Sequence, residues 1–132
     1  MMTAIPAGAY QAYRTTQIQT ASPAELILLL YDGAIKYCKQ AQLHLENGEK
    51  ELAHNALIRS QDIIDELAVS LDFSASEEIA QGLAQLYDYM GQRLIEANIK
   101  KDKAPITEVV AMLQELRETW AEVAKMAQRR VR

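Results

Sequence analysis

Apolar residues in this sequence return every three or four positions through four long stretches, and each stretch is closed by a short polar or glycine-bearing break. That period lies along one face of an α-helix, whereas a half-buried strand needs strict alternation. The first stretch opens with Thr20-Ala21-Ser22-Pro23-Ala24-Glu25. This gives a hydroxyl N-cap, proline at the first helical position and a carboxylate three residues after the cap. It predicts a helix from Pro23 to Glu46 with Ile27, Leu30, Tyr31, Ala34, Cys38, Ala41 and Leu45 on its inner face, ended by Asn47-Gly48. In its first half Leu26, Leu28, Leu29 and Ile35 make the other faces apolar as well, more than one facing helix can cover.

The second stretch predicts a helix from Lys50 to Leu71, with a core stripe of Ala53, Ala56, Ser60, Ile63, Leu67 and Leu71. A second stripe, Leu57, Gln61, Ile64 and Ala68, runs beside it. After the break Phe73-Ser74-Ala75-Ser76, whose serines are placed to cap, a third helix is expected from Glu77 to Ile99. Ile79, Leu83, Leu86, Met90, Leu94 and Ala97 are its core candidates, with Ala80, Ala84, Tyr87, Gly91, Ile95 and Asn98 as a second stripe. A glycine inside a helix costs about 1 kcal/mol relative to alanine, so Gly91 suggests close approach of another backbone. The polar connection Lys100 to Ala104 leads to a fourth helix, Pro105 to Gln128, striped by Val109, Met112, Leu113, Leu116, Trp120, Val123 and Ala127. Long helices joined by short links lie antiparallel to their neighbours. The fold expected is therefore all-α: an up-down four-helix bundle over residues 21–128, an N-terminal arm over 1–20 and a basic tail over 129–132.

Composition narrows the function. A net charge of -4 speaks against a nucleic-acid binder, which needs a basic face to displace counterions from phosphate. The basic run Lys125, Arg129, Arg130 and Arg132 suits the last turn of a helix. The one cysteine cannot form an internal disulfide, and no signal peptide or lipidation motif opens the chain, which fits the cytosol. The apolar run Leu26 to Tyr31 is far short of the roughly 20 residues that cross a bilayer.

No catalytic constellation is complete. Glu51-Leu52-Ala53-His54 has the carboxylate–imidazole spacing of di-iron bundles, but the other histidine, His44, has Ala41 three residues before it where a second glutamate would stand. Cys38 lies on the core stripe of the first helix and reads as a small hydrophobe. The five glycines are isolated, so there is no phosphate-cradling loop. The expectation is a non-enzyme with no cofactor and no metal. The surplus apolar stripes then either meet in a wide core or form a groove for a partner's helix, with the arm lying in it when empty.

Several segments together resemble one family. They are Ala9-Tyr10-Gln11-Ala12-Tyr13, the run Thr20 to Ala34 (TASPAELILLLYDGA), Ser60 to Leu67 (SQDIIDEL), Leu86 to Met90 (LYDYM) and Glu96 to Ile99 (EANI). In this order and at these distances they resemble the flagellar secretion chaperones known as FliS, over nearly the whole chain. The resemblance implies an antiparallel four-helix bundle that binds the disordered C-terminal segment of flagellin in the cytoplasm. It further implies that the chain prevents premature polymerisation of flagellin and delivers it to the flagellar export apparatus. The expected groove is lined by Leu57, Gln61, Ile64 and Ala68 with Ala84, Tyr87, Gly91, Ile95 and Asn98, and Tyr10 and Tyr13 of the arm cover it. A structural homo-oligomeric bundle without a chaperone role is the alternative, and whether the free protein is a homodimer is left open.

Overall fold

The computed structural model describes residues 23–72, 74 and 76–131, with side chains described through residue 126. Its elements are α1 (Pro23–Glu46), α2 (Lys50–Val69), α3 (Glu77–Lys100) and α4 (Ala104–Val131), packed antiparallel. No strand occurs among the described residues. Each helix lies beside two others, α1 against α2 and α4, and α3 against α2 and α4, so the four close a ring around one core. α4 continues helically through Val131, into the stretch expected as a basic tail.

The inward positions follow a three–four rhythm. On α1 they are Ile27, Tyr31, Ala34, Cys38, Ala41 and Leu45. On α3 they are Ala80, Leu83, Tyr87, Met90, Leu94 and Ala97. A repeat of 3.5 keeps one seam facing the core in helices inclined by about 20°, the geometry of most four-helix bundles. On α2 the two stripes expected from the sequence both face inward, because the helix sits between α1 and α3. Ala53, Ala56 and Leu67 of one stripe and Leu57 and Ile64 of the other are all buried.

The rotation of α3 differs from expectation. Ile79 (66% exposed) and Leu86 (39%) point outward, and Ala80 and Tyr87 of the second stripe take their places. The period alone fixes a helical face to within one position, and at Ile79 and Leu86 the inward face of α3 lies one position on from the expected stripe. Val123 of α4 is likewise exposed. Gly91 has no close neighbour, since a Cβ built there meets nothing within 4 Å. The tight approach is at Gly33 instead, where a Cβ would lie 3.1 Å from Ile63 Cδ1.

The links between helices carry their own signals. Gly48 takes φ 75°, and the amides of Asn47, Gly48 and Glu49 return to carbonyls of Leu43, Leu45 and His44, satisfying the end of α1. Ser76 caps α3 as its hydroxyl accepts from the Ile79 amide. At the other end Lys101 adopts the left-handed conformation, φ 52°, that glycine usually supplies. Ser22, the expected cap of α1, lies outside the described residues.

One polar cluster is sealed in the core. Ser60 is fully buried and donates to the Ala34 carbonyl at 3.1 Å, which leaves its oxygen to accept from the Cys38 thiol, also 3.1 Å away. The serine thus joins α1 to α2 with its hydrogen-bonding capacity used. Burial pushes the Cys38 thiol up to about 11, so it stays protonated.

Candidate functional site: a trough between α2 and α3

The groove residues expected from the sequence separate into three groups. Gln61, Ala68, Ala84, Tyr87, Gly91 and Ile95 come together around an open cavity of about 260 Å³ between α2 and α3. Leu57 and Ile64, 0% and 1% exposed, belong to the core and present no surface to a partner. Asn98 stands outside this cavity, its amide 2.8 Å from His54 Nδ1. Tyr10 and Tyr13 lie outside the described residues.

The trough exists because small side chains meet on neighbouring helices. Ala68 on α2 and Ala84 and Gly91 on α3 leave space that larger residues would fill. Ile95, 48% exposed, forms an apolar wall, and Asp65 and Asp88 stand on the edges. Gln61 Nε2 is buried with no hydrogen-bond partner. Such a donor gains from an acceptor brought in by a ligand.

Tyr87 links the trough to a second space. It also lines a larger apolar cavity of about 510 Å³ at the end of the bundle, whose walls include Leu26, Ile27, Leu71, Ile79, Leu83 and Trp120. Its ring lies 6.5 Å from that of Tyr31, and the two hydroxyls share a buried hydrogen bond. Burial, and then the contact with Tyr31, hold the Tyr87 phenol far above its ordinary range. Neither phenol ionises near neutrality, and the pair provides a rigid polar link across the core.

Sequence reasoning did not anticipate this end cavity. Ile79, expected in the core, points outward, and the opening beside it does not follow from the period alone. One signal was available: α1 is apolar on all faces in its first turns, and its neighbours α2 and α4 leave Leu26 to Leu30 only partly covered there. The trough, polar at Gln61, Asp65 and Asp88, and the apolar end cavity share Tyr87 as a common wall, and together they form a candidate channel for side-chain anchors of a helical or extended segment.

The histidines carry no such site. His54 contacts Asn98 and His44 contacts Glu49 at 3.1 Å, both in exposed positions. Glu51, the carboxylate spaced three residues before His54, is itself exposed.

Known proteins share both sequence and fold with this chain. The family described as flagellar protein FliS matches residues 6–127. The flagellar secretion chaperone FliS of Bacillus subtilis (strain 168) is 37% identical over 111 residues, covering 84% of this chain and 82% of that protein. The flagellar secretion chaperone FliS of Salmonella typhimurium is 39% identical over 111 residues, covering 83% and 82%. A solved structure described as a flagellar chaperone from bacteria has a TM-score of 0.74 at 19% identity, covering 89% of this chain and 96% of that chain, a likeness of fold.

Proposed function

We infer the partner of the trough from the premise that this chain belongs to the FliS family of flagellar secretion chaperones. It is a chaperone and not an enzyme. We propose that its cargo is flagellin, that it binds the C-terminal segment of flagellin in the cytoplasm, and that it delivers the bound chain to the flagellar export apparatus. No helix among the described residues is long and apolar enough to cross a membrane.

The observation that carries the proposal is the pair of neighbouring cavities, the trough of small residues between α2 and α3 and the apolar end cavity, which share Tyr87 as a wall. A disordered segment that folds as it binds can lay apolar anchors into such a channel while its backbone hydrogen bonds close internally. Held this way, the segment is withheld from subunit–subunit contacts, and premature polymerisation is prevented. Gln61 is proposed to donate to a partner carbonyl, and Ile95 and Tyr87 to supply apolar contact. Asn98 lies further along the same side. Tyr10 and Tyr13 are proposed as competitors that occupy part of the channel when flagellin is absent.

The test is co-purification with full-length flagellin and with flagellin lacking its C-terminal helices. Only the full-length protein is expected to be retained. Equal retention of both would place the binding determinant elsewhere in flagellin.

A further inference from the structure

Ion pairs between helices follow a pattern among the described residues. Arg93–Glu108, Arg117–Asp32 and Lys103–Glu46 all run to α4 or to the residue just before it. Apart from the His44–Glu49 contact in the turn between α1 and α2, the two outer grooves of α2 have none among the described residues. One is the trough described above. The other, between α1 and α2, holds a cavity of about 220 Å³ walled by Leu29, Gly33, Tyr37 and Ile63 and by Leu26, which it shares with the end cavity, with Lys36 at its edge. Leu26 and Leu29 remain partly exposed there.

The rim of this slot is positive. Lys36 Nζ lies 5.4 Å and the Arg59 guanidinium 5.6 Å from the centre of the Tyr37 ring. Arg59 also donates to the Tyr37 hydroxyl at 3.4 Å. No ion pair joins Lys36 or Arg59 to a carboxylate among the described residues, although the chain as a whole carries a net charge of -4. Contact with the ring face keeps the two cations in place without neutralising them. An acidic protein thus presents an apolar slot edged by unneutralised cations.

We propose that the α1–α2 slot is a second docking surface, separate from the α2–α3 trough, for a protein helix whose apolar anchors are flanked by carboxylates. Charge selects this occupant. Residues 1–22 of the chain itself carry Arg14 as their one charged side chain, so they cannot neutralise the rim. The trough is edged by Asp65 and Asp88 and has the opposite preference. A surface of this kind lets a protein hold one partner while being recognised by another.

The probe is a synthetic peptide of about 18 residues with leucines at i, i+3, i+4 and i+7 spacing and glutamates on the flanking positions. Two companions carry glutamine or lysine in place of glutamate. Binding to the full chain is followed by shifts of backbone amide resonances. The glutamate peptide is expected to move the signals of Tyr37, Arg59 and their neighbours, to weaken with added salt, and to bind at full strength in the presence of saturating flagellin tail peptide. A K36E/R59E double variant is expected to lose binding at least about tenfold while keeping its helical circular dichroism and its affinity for the flagellin tail. The proposal is overturned by absence of binding, by equal binding of the glutamine or lysine peptide, by shifts confined to the trough, or by displacement by the flagellin tail. None of these results would alter the cargo assignment, which the flagellin truncation tests separately.

Discussion

Tyr31 and Tyr87 donate and accept across the core at the point where the two cavities meet, 0% and 3% exposed. Removing the Tyr31 hydroxyl leaves that of Tyr87 buried without its partner, removing the Tyr87 hydroxyl leaves that of Tyr31 with Trp120, and removing both leaves two apolar rings. Tyr31→Phe and Tyr87→Phe are each expected to cost about 1–3 kcal/mol, and the double variant less than their sum, as measured by urea unfolding. These phenols and the Cys38 thiol also set an alkaline limit. Burial raises the folded-state values of all three. The native state therefore binds more protons than the unfolded chain at high pH. The stabilisation is complete below the ordinary thiol range and is lost as pH rises through the folded values, Cys38's being about 11. The urea midpoint is expected to hold level to about pH 8.5 and to fall beyond it, and Cys38 should react with a thiol reagent only as the protein unfolds.

α3 bears most directly on the trough, and its two unusual positions act in different ways. Lys101 ends it with a left-handed backbone that costs a non-glycine residue about 1 kcal/mol, offset in part by its ammonium donating to Asn98 Oδ1. Lys101→Gly is expected to raise stability by about 0.5 kcal/mol in thermal or urea unfolding. Gly91 weakens the helix without any close neighbour that requires a glycine. Gly91→Ala should therefore stabilise the fold by up to about 1 kcal/mol and leave flagellin-tail binding little changed. Gly91→Trp fills the trough, and its affinity for the tail peptide is expected to fall at least about tenfold with helicity intact. Equal affinity in the tryptophan variant would remove Gly91 from the binding surface.

At the scale of the whole molecule, the ring of helices leaves apolar surface open at one end and along both outer sides of α2, while ion pairs close the seams of α4. Cargo that folds into the open channel buries that surface, so calorimetry with the flagellin tail is expected to show a negative heat-capacity change, with an ordering cost of about 2–5 kcal/mol within the total. A heat capacity unchanged by binding would mean that the tail does not cover this apolar surface. Much of this molecule could be read from its residues in order. The three–four spacing, Asn47-Gly48 and Ser76 fixed the number of helices and most of their ends, because period, capping and turn chemistry are local. The family motifs between Ala9 and Ile99 carried the membership of the family, from which the cargo is proposed. Which apolar stripe faces inward depends on how many neighbours a helix has, and that is a tertiary property. α2 buries Leu57 and Ile64 because it has helices on both sides, and α3 turns Ile79 outward because Ala80 and Tyr87 suit the core seam. The trough, the end cavity and the cation-edged slot are spaces between helices, and only packing decides where side chains fail to meet.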